Sequence, residues 1–231
     1  MSPYTDMEGH VHPMAVECRF RLLQYSVLTE ASLRYDDGAS VRLAALVVVD
    51  DEFTLLFLVN TKTDAYASGQ WGITVDDGST RSVQTQLRDS LEALGALWAQ
   101  LTPETQLEMA GGAGVALDLA RMPLIVKFTE FVGVGGRLVS FPDLRQGRVP
   151  VKDYKTFSRD FVSDLKSAGV PATFTANSFR VGSTRESAWL GLNRNLIQFR
   201  GRWRSLKTVD HYVGADVSRA QLVEHKRSLP Q

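Results

Sequence analysis

The chain has 231 residues, of which 44% are hydrophobic and 23% charged, and its formal net charge is zero. This is the composition of an ordinary soluble globular protein with one large domain or two small ones. The single cysteine, Cys18, excludes an intramolecular disulfide and any metal cluster built on cysteines. No apolar run approaches the ~20 residues of a membrane span, and residues 1–20 lack the apolar segment of a signal peptide. We therefore expect an intracellular protein, in the nucleus of a eukaryote or in the cytoplasm or nucleoid of a prokaryote.

Charge is distributed unevenly along the chain. Residues 1–144 contain 10 Lys or Arg and 19 Asp or Glu, a balance of −9, whereas residues 145–231 contain 16 and 7, a balance of +9. The zero net charge argues against a dedicated nucleic-acid binder, but the basic second half favours an anionic partner for that half. Mutual attraction of the two halves, or simple scatter of the charges, would explain the same numbers.

The first half of the chain predicts one helix followed by a small sheet. Residues 1–14 contain two prolines and a glycine, and we expect them to be irregular. Apolar residues recur at a nearly helical spacing from Ala15 to Glu30. Three short runs rich in β-branched and aromatic residues then predict a three-strand antiparallel meander, with Lys62 in its second connection: residues 41–49, 53–60 and 70–75.

The remainder of the chain predicts mainly helices. A long amphipathic helix fits residues 82–101, and residues 104–124 fit a short helix broken by three glycines. Beyond residues 125–150, for which no element is predicted, glycine, proline and capping residues delimit further helices over 151–170, 179–190, 194–200, 206–213 and, in a C-terminal tail, 216–228. One small sheet in a mostly helical chain gives an α+β class.

Two motifs near the end of the chain carry the strongest chemical signal. The stretch "ANSFRVGS" places Arg180 in the first turn of a predicted helix, where its charge opposes the helix dipole but suits a site that binds an anion. Trp203 follows 23 residues later within "GRWRS", and Tyr212 follows nine residues after that tryptophan. In isolation the tryptophan would be a core residue and the tyrosine a surface phenol.

In this order and spacing, the motifs resemble the C-terminal signature of the tyrosine recombinases, also called phage integrases. The similarity is greatest to the branches that contain Cre and the recombinases of DIRS-type retroelements and Cryptons. The resemblance implies a tyrosine recombinase catalytic domain over residues 15–215, with an α+β fold that is mostly helical and has a small three-stranded antiparallel sheet. It also implies a function in site-specific recombination, DNA integration or the transposition of a mobile element.

The resemblance implies three more site residues upstream. An arginine is expected in an R-x-x-E-x-x-x-L pattern, which Arg21 fits except that Gln24 replaces the carboxylate; Arg19 lacks the leucine spacing. A lysine is expected in a β-turn, where Lys62 lies. A histidine is expected three residues before the second arginine, but that position is Asn177, which can hydrogen-bond a phosphate and cannot exchange a proton at neutral pH.

The implied roles follow phosphoryl-transfer chemistry. Arg21 and Arg180 would hold the two non-bridging oxygens of a phosphodiester, and Trp203 would donate its indole N–H to one of them. Tyr212 would be the nucleophile and Lys62 the general acid for the departing 5′ oxygen. Because a 3′-phosphotyrosyl link keeps the bond energy for religation, no metal or other cofactor is expected. Five further basic residues are expected to contact the DNA backbone: Arg194, Arg200, Arg202, Arg204 and Lys207.

The expected partner is double-stranded DNA, with no membrane. The resemblance implies a monomer in solution and a homotetramer on DNA, and the tail at 216–231 would dock on a neighbouring subunit. We expect the N-terminal core-binding domain of the family to be missing, since the chain begins only about 20 residues before Arg21.

Two other functions fit the same residues. The helical pieces of 183–213 could form a helix-turn-helix that binds DNA through Arg194, Arg200 and Arg204, in a catalytically weak or inactive derivative of a recombinase. The same phosphoryl transfer could also serve a topoisomerase IB-like enzyme that relaxes DNA. The departures at Gln24 and Asn177 leave the level of activity open.

Overall fold

The computed structural model describes residues 13–59, 69–76, 78–100, 122–126, 151–171 and 173–213. Within these ranges the chain forms seven α-helices and one sheet. The elements are α1 (Pro13–Glu30), α2 (Tyr35–Ser40), β1 (Leu46–Val48), β2 (Phe53–Leu58), β3 (Gln70–Val75), α3 (Val83–Ala99), α4 (Tyr154–Ser167), α5 (Ser178–Trp189), α6 (Arg194–Gly201) and α7 (Leu206–Val213). The mostly helical α+β class with one small sheet is therefore confirmed.

The sheet is an antiparallel meander with the strand order β1-β2-β3. Side chains alternate between its faces, so Thr54, Leu56 and Leu58 of β2 are buried against the helices. The opposite face is apolar as well but open to solvent. Residues paired across it include Leu55 with Ile73, Phe53 with Val75 and Phe57 with Trp71.

The main core forms around α1. Its buried residues recur at helical spacing, and the helix packs chiefly on α3 and also on α5. Buried side chains from the sheet, from α4 and from the short segment 122–126 complete this core. The stripe on α1 consists of Val16, Phe20, Leu23, Val27 and Leu28.

A second, smaller cluster lies under α6 and α7. It contains Ile197, Trp203, Val209 and Val213, with Tyr212 packed against it. The amide oxygen of Asn193 caps α6 by accepting from the backbone N–H of Leu196 at 2.9 Å. The candidate functional residues lie where this cluster meets the turn after α1.

Two sequence predictions in the first half were wrong in part. Only residues 46–48 of the predicted strand 41–49 pair with β2, since Leu43–Ala45 form a 3-10 turn. Just before that turn, Arg42 pairs with Pro123 in an isolated antiparallel bridge, so residues 122–124 are not helical as predicted. The short helix α2 was not predicted at all.

Several predicted features lie outside the described residues. They are the irregular N-terminal segment up to residue 12, the turn with Lys62, the broken helix over 104–121 and the tail at 216–231. No helix in the described part of the chain is both long enough and apolar enough to cross a membrane.

Candidate active site

Arg180 is the centre of the candidate site. It lies in the first turn of α5 and is 1% exposed. One terminal nitrogen donates to the carbonyl oxygen of Ser32 at 3.2 Å, and the other donates to the carbonyl oxygen of Gly201. Its Nε is buried and has no hydrogen-bond partner. The guanidinium is therefore fixed between the turn after α1 and the end of α6, and its Nε–H is left without an acceptor in the described residues.

Trp203 and Tyr212 stack beside this guanidinium. The Arg180 Cζ lies 4.8 Å from the centroid of the Trp203 ring, in a cation–π contact. The Trp203 and Tyr212 rings stack at a centroid distance of 5.3 Å and an angle of 24°. The indole Nε1 of Trp203 is buried without a partner, like the Nε of Arg180. Two buried N–H donors without an acceptor in the described residues thus belong to side chains that contact each other.

Gly201 allows the indole to lie this close to the end of α6. A Cβ at this position would come within 2.2 Å of a Trp203 ring carbon. Any side chain larger than hydrogen would therefore displace the ring that contacts both Arg180 and Tyr212.

Arg202 forms the C-cap of α6 in the left-handed conformation, with φ 53° and ψ 40°. Its guanidinium donates to the carbonyl oxygens of Ala31 at 3.1 Å and Ser32 at 3.3 Å. A carboxylate oxygen of Asp37 lies 3.8 Å away, and the Arg202 side chain is only 7% exposed. Sequence analysis expected a contact to the DNA backbone here, but the side chain is buried and braces the turn after α1.

Arg34 completes the cluster, and sequence analysis missed it. It precedes the first residue of α2 and is half-buried, and its guanidinium makes no hydrogen bond or ion pair with the described part of the chain. It is nonetheless near enough to Arg180 and Arg202 to lower the pKa of both by charge repulsion. Asp37, three residues on, is 3.7 Å from Arg180.

A sequence signal for this arginine was present. Residues Arg34 to Val41 read R-x-x-D-x-x-x-V, which is close to the R-x-x-E-x-x-x-L pattern assigned to Arg21. The acidic residue that Arg21 lacks at Gln24 is therefore found here, at Asp37.

The electrostatics of the cluster favour an anion. Burial, together with the neighbouring Arg34 and Arg202, lowers the pKa of Arg180 to about 10, so Arg180 still carries its charge at neutral pH. Burial also lowers the pKa of Arg202, although Asp37 opposes that shift. Arg180 and Arg202 thus share the carboxylate of Asp37, with Arg34 as a third positive charge nearby, and a bound anion would relieve their mutual repulsion.

Arg21 has other partners. Its guanidinium donates to the carboxylates of Glu17 and Asp164, in each case at 2.8 Å. Asp164 also accepts from the Tyr25 hydroxyl at 2.7 Å, and Lys152 bonds Asp160 nearby at 2.6 Å. This ion-pair cluster joins α1 to α4. In the described residues Arg21 therefore has no hydrogen bond or ion pair with the cluster around Arg180, whereas Arg34 lies beside that cluster.

The remaining predicted residues divide into three groups. Asn177 is exposed at the N-cap of α5 and makes no side-chain capping bond, so its role stays a prediction. Arg200 donates to the backbone and carboxylate of Glu30, and Arg194 forms an exposed ion pair with Asp210. In the structure both arginines bond other residues of the chain, and their contact with the DNA backbone stays a prediction. Only Arg204 and Lys207 are exposed without such a partner in the described residues.

The chain is similar to several solved structures. No protein-family model and no curated protein sequence matches it. A crystal structure of XerA recombinase matches with a TM-score of 0.48 and 14% identity, over 99% of this chain and 68% of that one. XerH site-specific recombinase, bound to its palindromic difH substrate, matches with a TM-score of 0.48 and 13% identity, over 95% of this chain and 52% of that one. The Tn1549 transposon integrase, in complex with circular intermediate DNA, gives 0.45 and 12% over 97% and 67%.

The chain thus spans about half of the XerH chain and about two thirds of the other two. All three are recombinases or integrases, the class that the motifs around Arg180 and Trp203 resemble. Since the TM-scores are below 0.5, the function proposed next depends on the residues of the site and not on these similarities.

Proposed function

We propose that this chain cleaves and rejoins DNA strands as a tyrosine recombinase, in site-specific recombination, integration or transposition. The proposal depends above all on one observation: Arg180, Trp203 and Tyr212 form a stack in which two buried N–H groups lack acceptors. The resemblance of the motifs that contain these residues is a second, independent support.

A phosphodiester supplies the missing acceptors. Its non-bridging oxygens would accept from the Nε of Arg180 and the Nε1 of Trp203. Arg34, whose guanidinium has no other bond in the described residues, would provide a second positive charge. As a nucleophile attacks, negative charge grows on these oxygens, and donors already in position stabilise that charge without reorganisation.

Tyr212 is the nucleophile in this proposal. A tyrosine pKa is ordinarily ~10, so the phenol is a weak nucleophile at neutral pH until a nearby cation favours the phenolate. In this proposal Arg180 is that cation, because its guanidinium contacts the Trp203 ring on which Tyr212 stacks. The phenol oxygen forms a bond to phosphorus while the bond to the 5′ oxygen breaks. The proton lost by the phenol is balanced by one gained at the 5′ oxygen, for which Lys62 is the proposed donor.

We propose that the reaction proceeds without a metal, because guanidinium groups and an indole N–H supply the charge compensation. Rejoining is the reverse step, with a 5′ hydroxyl of another strand as the attacking group. A monomer in solution that forms a homotetramer on DNA would bring two duplexes together for this exchange.

The experiment is a trapping assay on nicked duplex DNA. Because the target is unknown, a pool of nicked duplexes with randomised sequence is incubated with the protein in EDTA and run on a denaturing gel. We expect a covalent protein–DNA band that Tyr212→Phe abolishes. Trp203→Phe keeps an aromatic ring in the stack but removes the indole N–H together with part of the ring volume, so it should slow the formation of the band about tenfold and lower the melting temperature only slightly.

Other results would point elsewhere. A band that persists in Tyr212→Phe would assign the nucleophile to another residue. DNA binding with no band from the whole pool would leave a DNA-binding module. Relaxation of supercoiled plasmid without sequence preference would favour a topoisomerase-like activity over recombination.

A further inference from the structure

A groove of about 620 Å³ opens beside the candidate active site, between β3 and α6. Its walls include Trp71, Asn195, Gln198 and Phe199, and its floor includes Arg202 and Trp203. This volume is within the range of small-molecule sites in proteins. None of the first four residues has a role in the proposed cleavage.

Two aromatic side chains border the groove and are open to solvent. Trp71 is 52% exposed and Phe199 is 67% exposed, whereas other aromatic side chains of the fold are buried. They come from different elements, one from the sheet and one from a helix. Exposed aromatic faces at the edge of a cavity are suited to stacking on a flat ring.

Two amide side chains also line the groove. Gln198 donates from its Nε2 to the carbonyl oxygen of Trp203 at 3.0 Å, which fixes the orientation of its amide. The exposed side chain of Asn195 makes no hydrogen bond with the described residues. Asn and Gln amides present a donor and an acceptor side by side, as base edges do, so they suit a heterocycle better than a purely apolar side chain.

The groove adjoins the proposed phosphate site through Trp203, which lines the groove and contacts Arg180. Arg202 also lines the groove, and a Cβ on Gly72, next to Trp71, would lie 3.7 Å from its guanidinium. A nucleotide whose phosphate lies at Arg180 would therefore have its own base, or that of its neighbour, at the mouth of the groove.

We propose that the groove binds one unstacked nucleobase next to the phosphate that is cleaved. The base would stack on Phe199 or Trp71, and its edge would bond the amides of Asn195 and Gln198. This inference rests on the proposed function, because it takes the anion at Arg180 to be a DNA phosphate. A base in a fully paired duplex cannot enter the groove, so the site favours DNA in which a base is already free to leave the stack.

The test compares two labelled duplexes of the same sequence, one fully paired and one with a single unpaired nucleotide, at fixed salt. Fluorescence anisotropy measures binding in the Tyr212→Phe background, so that covalent chemistry does not contribute. We expect tighter binding of the duplex with the unpaired nucleotide. Phe199→Ala and Trp71→Ala should each reduce that affinity about tenfold, since aromatic–base stacking has this strength, and should leave the paired duplex unaffected.

Two conservative variants separate stacking from simple apolar contact. Phe199→Tyr keeps an aromatic face and should retain the preference, whereas Phe199→Leu keeps only apolar volume and should lose it. Trp189→Ala serves as the control, because Trp189 is 43% exposed and does not line the groove.

The proposal is overturned if the two duplexes bind equally, or if each alanine variant weakens both equally. Retention of the preference by Phe199→Leu would also overturn it and would indicate an apolar protein segment as the occupant. Failure of the proposed function alone gives a different result. The protein would then still prefer the duplex with the unpaired nucleotide in this assay but would form no covalent band in the trapping assay.

Discussion

At the scale of single residues, the position of Arg34 is the main result. Motif spacing was sufficient to find Arg180, Trp203 and Tyr212, which the structure brings together. It left Arg34 out, because Arg21 and Arg34 both begin a pattern of the same kind. The choice depends on which carboxylates surround each guanidinium, and the residues that neutralise Arg21 include Asp164, 143 positions away. No local pattern contains that information.

This assignment predicts opposite outcomes for two arginine variants. Arg34→Ala should slow formation of the covalent complex about 100-fold, as expected for the loss of one charge-stabilising donor, and should leave the melting temperature nearly unchanged. Arg21→Ala should lower the free energy of unfolding by about 1–3 kcal/mol, because it leaves carboxylates without their partner. Its folded fraction should cleave at nearly the normal rate.

Single-turnover trapping and thermal melts measure the two effects. Arg34→Lys is the matched control, since it keeps the charge without the planar fork and should recover only part of the rate. Loss of cleavage in a fully stable Arg21→Ala protein would return Arg21 to the site.

At the scale of elements, sequence pattern predicted helices and strands whose own periodicity is strong. Strand β3 over 70–75 and helix α7 over 206–213 have the predicted bounds. The pattern failed where a partner distant in sequence decides the structure. Residues 41–45 are rich in apolar side chains, like a strand, but their backbone pairs with the segment at 122–124. Helix α2 has only six residues, too few for an apolar period to show.

Helix α4 gives a prediction about pH. The Asp153 carboxylate caps the helix by accepting from the backbone N–H of Thr156 at 2.9 Å and from its hydroxyl at 2.7 Å, and these bonds lower its pKa from 3.8. A lowered pKa in the folded state means that the stabilisation is complete above pH 3.8 and is lost as the pH falls through the lower folded-state value. The melting temperature of Asp153→Ala should therefore lie below that of the unaltered protein at pH 7, and the gap should narrow below pH 3.8.

Asp153→Asn retains a capping oxygen without a titratable group. It therefore distinguishes the stabilisation due to the capping hydrogen bond from that due to the carboxylate charge. Its melting temperature should lie above that of Asp153→Ala at every pH. A gap between Asp153→Ala and the unaltered protein that stays constant down to pH 2 would contradict the account.

At the scale of the whole molecule, the uneven charge predicted an anionic partner for the second half, and the structure divides the basic residues by task. Arg180, Arg200 and Arg202 face inward and bond backbone carbonyls from the end of α1 and the turn that follows it. Sequence could not make this division, because adjacent arginines in "RGRWR" look alike until the fold turns each one inward or outward.

The outward residues should dominate the salt dependence of DNA binding. The plot of log K against log salt has a negative slope, and each phosphate contact that is removed makes that slope shallower by about 0.9. Arg204→Ala and Lys207→Ala should therefore each reduce the steepness of the salt dependence by that amount. Arg88→Ala is a suitable control, since Arg88 is 71% exposed on α3 in the acidic half of the chain. Titrations of one duplex at several salt concentrations give the slope, and an equal effect of Arg88→Ala would argue against a localised DNA surface.

Ser32 receives hydrogen bonds from both Arg180 and Arg202, which lie 148 and 170 residues further along the chain. The candidate site therefore does not form until α5 and the end of α6 have packed against the turn after α1. A chain still emerging from the ribosome would present Arg34 without Arg180, Trp203 or Tyr212. The proposed cleavage therefore requires that residues 180–212 have been made and have folded onto α1.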